Sequence, residues 1–134
     1  MRGSWGGIKT LPLVPLKKVQ TTSGKKAKGR ALVIYVKQRL LHYFGFDSDD
    51  IILPSVSAPG EDLKFSSSVR AVFPYSVECK NQEISKALYD WYDQAKSNAG
   101  NYEPIVVLKR SRQKPLVLVD LDHFLSVVKG NENE

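Results

Sequence analysis

The sequence has one cysteine, two histidines and no acidic residue in its first third, and it has no long apolar run. A single cysteine, Cys79, excludes an internal disulfide framework and is typical of a reducing cytoplasm. Cys79 and the two histidines, His42 and His123, are too few for a structural zinc site, which needs four clustered ligands. No stretch approaches the roughly 20 apolar residues that span a bilayer. Lysines and prolines also interrupt each candidate signal-peptide core. We therefore expect a cytoplasmic location and no membrane partner.

The basic charge is concentrated at the N-terminal end of the chain. Residues 1–46 contain ten Lys and Arg and no Asp or Glu, whereas residues 47–134 contain the other ten bases and all fourteen acids. An acid-free run of this length indicates a polyanionic partner, of which nucleic acid is the commonest. The alternative is a disordered arm that only keeps the protein in solution.

The composition divides the chain into three segments. Residues 1–29 are rich in glycine, proline, threonine and lysine, without helical or strand periodicity. We interpret them as a basic arm that is extended or partly disordered until it meets a partner. Residues 30–129 have the length of one folded domain, and residues 130–134 form a polar tail.

Apolar periodicity in the folded part predicts the order helix, three strands, helix, two strands, helix. The predicted helices cover residues 28–44, 85–98 and the segment from Asp120 or Asp122, either of which is a candidate cap, to Gly130. The predicted strands cover residues 51–57, 62–65, 75–80, 105–109 and 116–119. In helix 85–98 we expect Leu88, Trp91 and Tyr92 to face the core. This order predicts an α/β fold with a mixed central β-sheet flanked by helices.

The segment from Val77 to Lys80 carries the most chemical information. Successive strand residues point to opposite faces, so Glu78 and Lys80 share one face while Val77 and Cys79 share the other. A carboxylate and an ammonium on one strand face are typical of a structural ion pair, and this strand alone favours that interpretation.

Two further carboxylates, Glu61 and Asp62, precede this segment. If their strand pairs antiparallel with residues 75–80, Asp62 lies near Glu78. Converging carboxylates repel each other unless a cation lies between them, and oxygen ligands suit Mg²⁺ or Mn²⁺. A lysine beside such an ion orients water and stabilises charge that develops on a phosphate. Asp62, Glu78 and Lys80 therefore suit metal-assisted phosphodiester hydrolysis.

Asp62, followed after fifteen residues by Glu78-Cys79-Lys80, resembles the D-x(n)-E-x-K signature of the PD-(D/E)XK nuclease superfamily. The chain is most similar to the Holliday junction resolvases of phages and archaea. The similarity extends over residues 28–128. It is carried by the predicted order of elements and by residues 60–63, 73–81, 94–95, 98–100 and 107–112.

The resemblance implies a restriction-endonuclease-like core and a role for each matching residue. Asp62 would be the central metal ligand, with Glu78 and the Cys79 carbonyl as further ligands. Lys80 would position the attacking water or the scissile phosphate, and Gln94 would approach the site from the following helix. Glu61 would either bind the ion or assist from behind Asp62. Many members also have a glutamate in the first helix, but residues 30–44 contain no acid.

The activity implied by the resemblance is that of a Mg²⁺- or Mn²⁺-dependent endodeoxyribonuclease. It would cleave branched DNA, especially four-way junctions formed in DNA recombination, and leave a 5′-phosphate. It would act as a homodimer in the cytoplasm of a bacterium or a phage-infected cell. The basic residues expected to contact DNA are Lys17, Lys18, Lys25, Lys26, Lys28, Arg30, Arg110, Arg112 and Lys114. The alternatives are a nuclease of the same fold that cuts single strands or duplexes, and a non-catalytic nucleic-acid-binding module.

Overall fold

The computed structural model describes residues 22–55 and 59–132. Within these residues the chain forms α-helices, one short 3-10 helix and short β-strands, a mixed α/β composition. The elements in chain order are α1 (Thr22–Phe44), the 3-10 helix (Ser48–Asp50), β1 (Ile51–Ile52), β2 (Lys64–Phe65), α2 (Ser67–Val72), α3 (Lys86–Asn98), β3 (Val106–Leu108), β4 (Leu116–Leu118) and α4 (Leu121–Glu132).

The described residues divide into two compact units. Residues 22–55, 59–82 and 125–132 form unit A, and residues 83–124 form unit B, so that one boundary lies between Gln82 and Glu83 and another inside helix α4. Unit A contains α1, β1, β2 and α2, and unit B contains α3, β3 and β4.

Helix α1 begins six residues before the start predicted from the sequence. Residues 22–29 are therefore helical, and of the predicted basic arm only residues 1–21 lie outside the described part. The segment contains Lys25, Lys26, Ala27 and Lys28, all good helix formers. It lacks the apolar repeat by which a helix is recognised in a sequence, which explains why the prediction began too late. The predicted end is confirmed, because the helix stops at Phe44 and Gly45 has a φ of +70°.

The strands form two separate antiparallel pairs among the described residues, so the prediction of one mixed central sheet is wrong for this part of the chain. β1 pairs with β2, with Ile51 opposite Phe65 and Ile52 opposite Lys64. β3 pairs with β4 in a hairpin that places Val107 opposite Val117. Both pairs agree with predicted strands in position, although each strand is shorter than predicted, and β1 ends before Pro54, which has no N–H to donate to a ladder.

The predicted third strand, residues 75–80, is not a strand in the structure. It lies beside residues 61–62, and the Asp62 N–H donates to the Val77 carbonyl (3.0 Å). The Cys79 N–H, however, donates to the Asp62 carboxylate and not to a main-chain carbonyl. The Asp62 side chain thus takes a donor that a strand ladder would use. The Tyr75 N–H donates to the Phe73 carbonyl (2.9 Å) in a tight turn, which bends the start of the segment.

The buried apolar core described in the chain lies in unit A. Its fully buried members come from α1, β1, the segment before β2, α2 and α4: Leu40, Ile51, Leu63, Val69 and Leu125. Rings of Phe44, Phe65 and Tyr75 surround Phe73, with centroids 4.8–5.9 Å from it. The Ser66 hydroxyl caps α2 by accepting from the Val69 N–H (3.3 Å). This packing fixes the segment on which the candidate site is built.

Unit B keeps more of its apolar surface exposed. Helix α3 is capped by Ser85, whose hydroxyl accepts from the Ala87 N–H (3.3 Å), but it has no fully buried residue. Trp91 was expected in the core, yet 46% of it is exposed. Asp120 caps α4 by accepting from the His123 N–H (3.0 Å), one of the two caps predicted, and α4 continues past Gly130 to Glu132. No helix in the described part of the chain is long and apolar enough to cross a membrane.

Candidate metal and DNA site

The candidate site forms where residues 61–62 lie beside residues 75–80 in unit A. Gly60 precedes it with a φ of +100°, a conformation that only glycine adopts easily, and so turns the chain into this segment. The Asp62 carboxylate accepts a 2.5 Å hydrogen bond from the Cys79 N–H. Asp62 therefore lies directly against the Glu78-Cys79-Lys80 segment, although fifteen residues separate them in the sequence.

Side chains alternate along residues 76–80 even without a strand ladder. Glu78 and Lys80 are exposed, whereas Val77 and Cys79 are partly buried. The Lys80 ammonium lies 3.2 Å from a Glu78 carboxylate oxygen. Both side chains are more than half exposed, and an ion pair of this kind contributes only about 0–1 kcal/mol to stability. Its ammonium and carboxylate can therefore separate at little cost when another charged group arrives.

The pKa of the Cys79 thiol depends on its burial and on the charges near it. Burial, the largest cause, and the negative charges of Asp62 and Glu78 together raise the pKa of this thiol to about 11. Both carboxylates are therefore close enough to the thiol to raise its pKa. A thiol with a raised pKa is a poor nucleophile at neutral pH, because the thiolate is the reactive form. Cys79 is therefore not a candidate nucleophile at neutral pH.

Glu61 has a different partner. Both of its carboxylate oxygens accept hydrogen bonds from Nη2 of Arg70 (2.6 and 2.8 Å). The bond from Arg70 lowers the pKa of the Glu61 carboxyl, and a hydrogen bond from Ser76 lowers it too. Nη1 of Arg70 also donates to the Tyr75 carbonyl (2.9 Å). Of the two roles considered for Glu61, support of the site fits this arrangement, because a ligand role would require it to give up Arg70.

The donor set suits a magnesium-like ion that is shared with a substrate. Among the described residues, 22–55 and 59–132, no three His, Cys, Asp or Glu side chains are grouped so that they could hold a metal ion. Asp62 accepts from the Cys79 N–H, and the Asp62 and Glu78 carboxylates both act on the Cys79 thiol. Mg²⁺ is usually held by one or two carboxylates, with water and substrate phosphates as its other ligands. Two carboxylates open to solvent fit that chemistry and do not fit a closed structural metal site.

The other predicted site residues are distributed over both units. Gln94 is an exposed residue of α3 in unit B, and its predicted approach to the site stays a prediction. Arg110, Arg112 and Lys114 are exposed at the turn between β3 and β4, where Arg112 has a φ of +65°.

Two of the predicted DNA-binding residues in α1 have structural contacts. Arg30 donates to the Pro54 carbonyl (2.9 Å), and the Lys28 carbonyl accepts from the Asn81 amide (3.0 Å). Lys25 and Lys26 belong to α1, but their side chains lie outside the described part, as do Lys17 and Lys18 altogether. Arg30 therefore holds the segment after β1 with a group that was expected to contact phosphate.

Sequence reasoning missed Arg70 and Asn81. Arg70 joins the Glu61 side chain to the Tyr75 main chain, and Asn81 ties the end of the Glu78–Lys80 segment to the first turns of α1. Neither residue belongs to a recognisable spacing. Each contact joins two different segments of the chain, so it depends on which segments meet in the fold and not on a local pattern.

The comparisons with known proteins give no relative for this chain. No protein-family model matches it, and no curated protein or solved structure is significantly similar.

Proposed function

We propose that this protein is a divalent-metal-dependent DNA endonuclease of the PD-(D/E)XK type that acts on branched DNA. The observation that supports the proposal most strongly is the hydrogen bond from the Cys79 N–H to the Asp62 carboxylate, because it places an aspartate against the backbone of the residue between Glu78 and Lys80. Two carboxylates and an ammonium, all reachable from solvent, are the groups needed to bind a metal ion together with a phosphate.

In this proposal each side chain has a separate task. Asp62 and Glu78 would hold the ion, whose Lewis acidity would stabilise charge on the scissile phosphate. The Lys80 ammonium would separate from Glu78 and donate a hydrogen bond to a phosphate oxygen or to the attacking water. The water would attack in line with the leaving oxygen. The backbone N–H of Cys79 would keep the Asp62 carboxylate oriented. Arg70 would hold the Glu61 side of the site against residues 75–76.

The branched substrate and the pairing of two copies belong to the same proposal. The resemblance of residues 60–63 and 73–81 to the small resolvases implies both, and the ten bases without an acid in residues 1–46 suit a DNA partner. Two symmetric nicks in a four-way junction need two active sites, and a dimer supplies them.

The proposal is tested by cleavage assays with the full chain. Four-way junction, flap, single-stranded and linear duplex DNA are incubated in Mg²⁺, in Mn²⁺ and in a chelator. Asp62→Asn keeps an oxygen that can accept from the Cys79 N–H but removes the charge. We expect it to reduce junction cleavage by about 100-fold or more, because a metal ion stabilises the transition state by several kcal/mol and about 1.4 kcal/mol is tenfold in rate. Lys80→Ala should cost about 100- to 1,000-fold.

Matched variants control for surface charge. Asp49→Asn and Lys96→Ala change exposed residues outside the site, and both should cleave as the unmodified chain does. Cleavage that survives Asp62→Asn and Lys80→Ala would contradict the site. Equal cutting of the four DNAs would support a general nuclease of this fold over a junction-specific one.

A second candidate function is a non-catalytic DNA-binding module. The ion pair between Glu78 and Lys80 favours it, because the same contact would serve a purely structural role. Such a module would bind the junction and cut none of the four DNAs in any metal. The assay above therefore separates the two candidates.

A further inference from the structure

Unit B has an open groove beside Trp91 in which an aromatic ring and two cations lie together. The groove has a volume of about 440 Å³ and is lined by Trp91, the strand residues 106–108, Lys109 and Arg110. Trp91 is 46% exposed, although its neighbours on α3, Leu88 and Tyr92, are partly buried. An exposed tryptophan beside basic side chains is unusual for a residue that only stabilises the fold.

The positive charge continues from this groove to the tip of the hairpin. A second cleft, of about 530 Å³, shares Leu108 and Arg110 with the first and adds Arg112 and Lys114. Residues 104–118 contain four Lys and Arg and no acid. Of the described carboxylates, none forms an ion pair with these four side chains. The path from Trp91 to Lys114 therefore presents one sign of charge to a ligand.

This combination matches the chemistry of an unpaired DNA strand. Single-stranded DNA offers flat base faces that stack on aromatic rings and phosphates that pair with cations, whereas the bases of an intact duplex are stacked on one another and expose only their edges. The apolar strand residues of the groove suit a base, and the basic tip suits the adjoining phosphates. The cavity also falls within the size of known small-ligand sites, roughly 300–1,000 Å³.

We propose that the Trp91 groove binds an unpaired nucleotide, with its base against the indole and its phosphates along Lys109, Arg110 and the hairpin tip. The choice of DNA rests on the proposed function, but the groove itself needs neither the metal site nor cleavage. Such a subsite would let the protein select DNA that has unpaired bases, as at a branch point, over uninterrupted duplex.

The test uses the full chain in a chelator, so that no cleavage occurs. Replacing the only other tryptophan, Trp5, by Phe leaves Trp91 as the single indole reporter. We expect a short oligothymidylate to quench the Trp91 fluorescence at lower concentration than a blunt duplex of equal length does. In fluorescence anisotropy with labelled oligothymidylate and an intact Trp5, Trp91→Ala should weaken binding about tenfold, and Trp91→Phe less, because a smaller ring still stacks.

Control variants separate stacking from general surface effects. Tyr102→Ala removes an aromatic residue that is 81% exposed but lies outside the groove, and it should leave binding unchanged. Lys109→Gln with Arg110→Gln should flatten the dependence of log K on log salt by about 0.7 per lost contact with a single strand. Lys96→Gln, on the same unit, should not.

Three results would overturn the inference. One is the absence of quenching by oligothymidylate, and another is equal binding by Trp91→Ala and Tyr102→Ala. The third is a change of Trp91 emission with protein concentration alone, which would mean that a second copy covers the groove. The binding assay contains a chelator and needs no cleavage, so failure of the metal site and failure of this groove give different results.

Discussion

At the scale of single residues, the position of Asp62 decides the chemistry. Its side chain takes the Cys79 N–H that a regular strand would donate to a neighbouring main chain. The carboxylate is thereby held against the backbone of the Glu78-Cys79-Lys80 segment. The alternation that places Glu78 and Lys80 on one side could be predicted from the sequence, and the exposures agree with it. The contact from Arg70 to Glu61 could not be predicted, since it depends on which segments meet.

Cys79 allows a test of this arrangement that needs no DNA. With a pKa of about 11, the thiol should react with iodoacetamide in a chelator with a midpoint near pH 11, whereas an ordinary thiol is half ionised at about pH 9. The raised pKa has burial as its first cause and the two carboxylates as further causes. Asp62→Asn and Glu78→Gln should therefore speed alkylation at a fixed pH by a few-fold.

The control for this measurement is Glu83→Gln, an exposed carboxylate that is not among the causes of the shift. It should leave the alkylation rate unchanged, and the denatured chain should show the ordinary midpoint. Alkylation rates of Asp62→Asn and Glu78→Gln that equal the rate of Glu83→Gln would show that the two carboxylates do not act on Cys79, and a midpoint near about pH 9 in the folded chain would show that the thiol is not buried.

At the scale of elements, predictions from the sequence were best where local chemistry is sufficient. Asp120 caps its helix, α1 ends at Phe44 before Gly45, and β3 and β4 lie on either side of the basic turn, all as predicted. Predictions failed where tertiary contacts compete with local preference. Residues 75–80 have the alternation of a strand, but the Asp62 side chain replaces a ladder bond. Trp91 has the helical spacing of a core residue, yet unit B leaves it half exposed.

The prediction at the scale of elements concerns the effect of Arg70 on thermal stability. This residue joins α2 to Glu61 and to the Tyr75 carbonyl, so Arg70→Met should lower the Tm at neutral pH, and Arg70→Lys should lower it less. Because the folded state lowers the pKa of Glu61, its contribution to stability is fully present above the ordinary value of 4.5 and is lost as the pH falls through the lowered value.

Thermal unfolding followed by circular dichroism across this pH range checks the Arg70 prediction. The Tm difference between the unmodified chain and Arg70→Met should be constant near neutral pH and should shrink below pH 4.5. Glu61→Gln supplies the matched variant, because it removes the titrating group and should show a weaker pH dependence. A difference that stays constant down to about pH 3 would mean that the Glu61–Arg70 pair does not stabilise the fold.

At the scale of the whole molecule, charge and composition separate two kinds of surface. Unit A carries the described apolar core and the cluster of Asp62, Glu78 and Lys80, and unit B carries the basic hairpin and the exposed Trp91. The sequence predicted a basic, nucleic-acid-binding chain from its acid-free first 46 residues. It could not predict the division into units, because unit A includes the end of helix α4, and a boundary inside a helix leaves no linker composition to recognise.

The measurement that tests the account most directly is a crystal structure of the full chain soaked in Mn²⁺, with the ion located by its anomalous scattering. If Asp62 and Glu78 bind the ion, we expect an anomalous peak between their carboxylates, at roughly 2.0–2.3 Å from an oxygen of each. That peak should be lost in Asp62→Asn. A Mn²⁺ ion bound only elsewhere, or carboxylates that stay empty at a Mn²⁺ concentration saturating for cleavage, would contradict the metal site and with it the nuclease proposal.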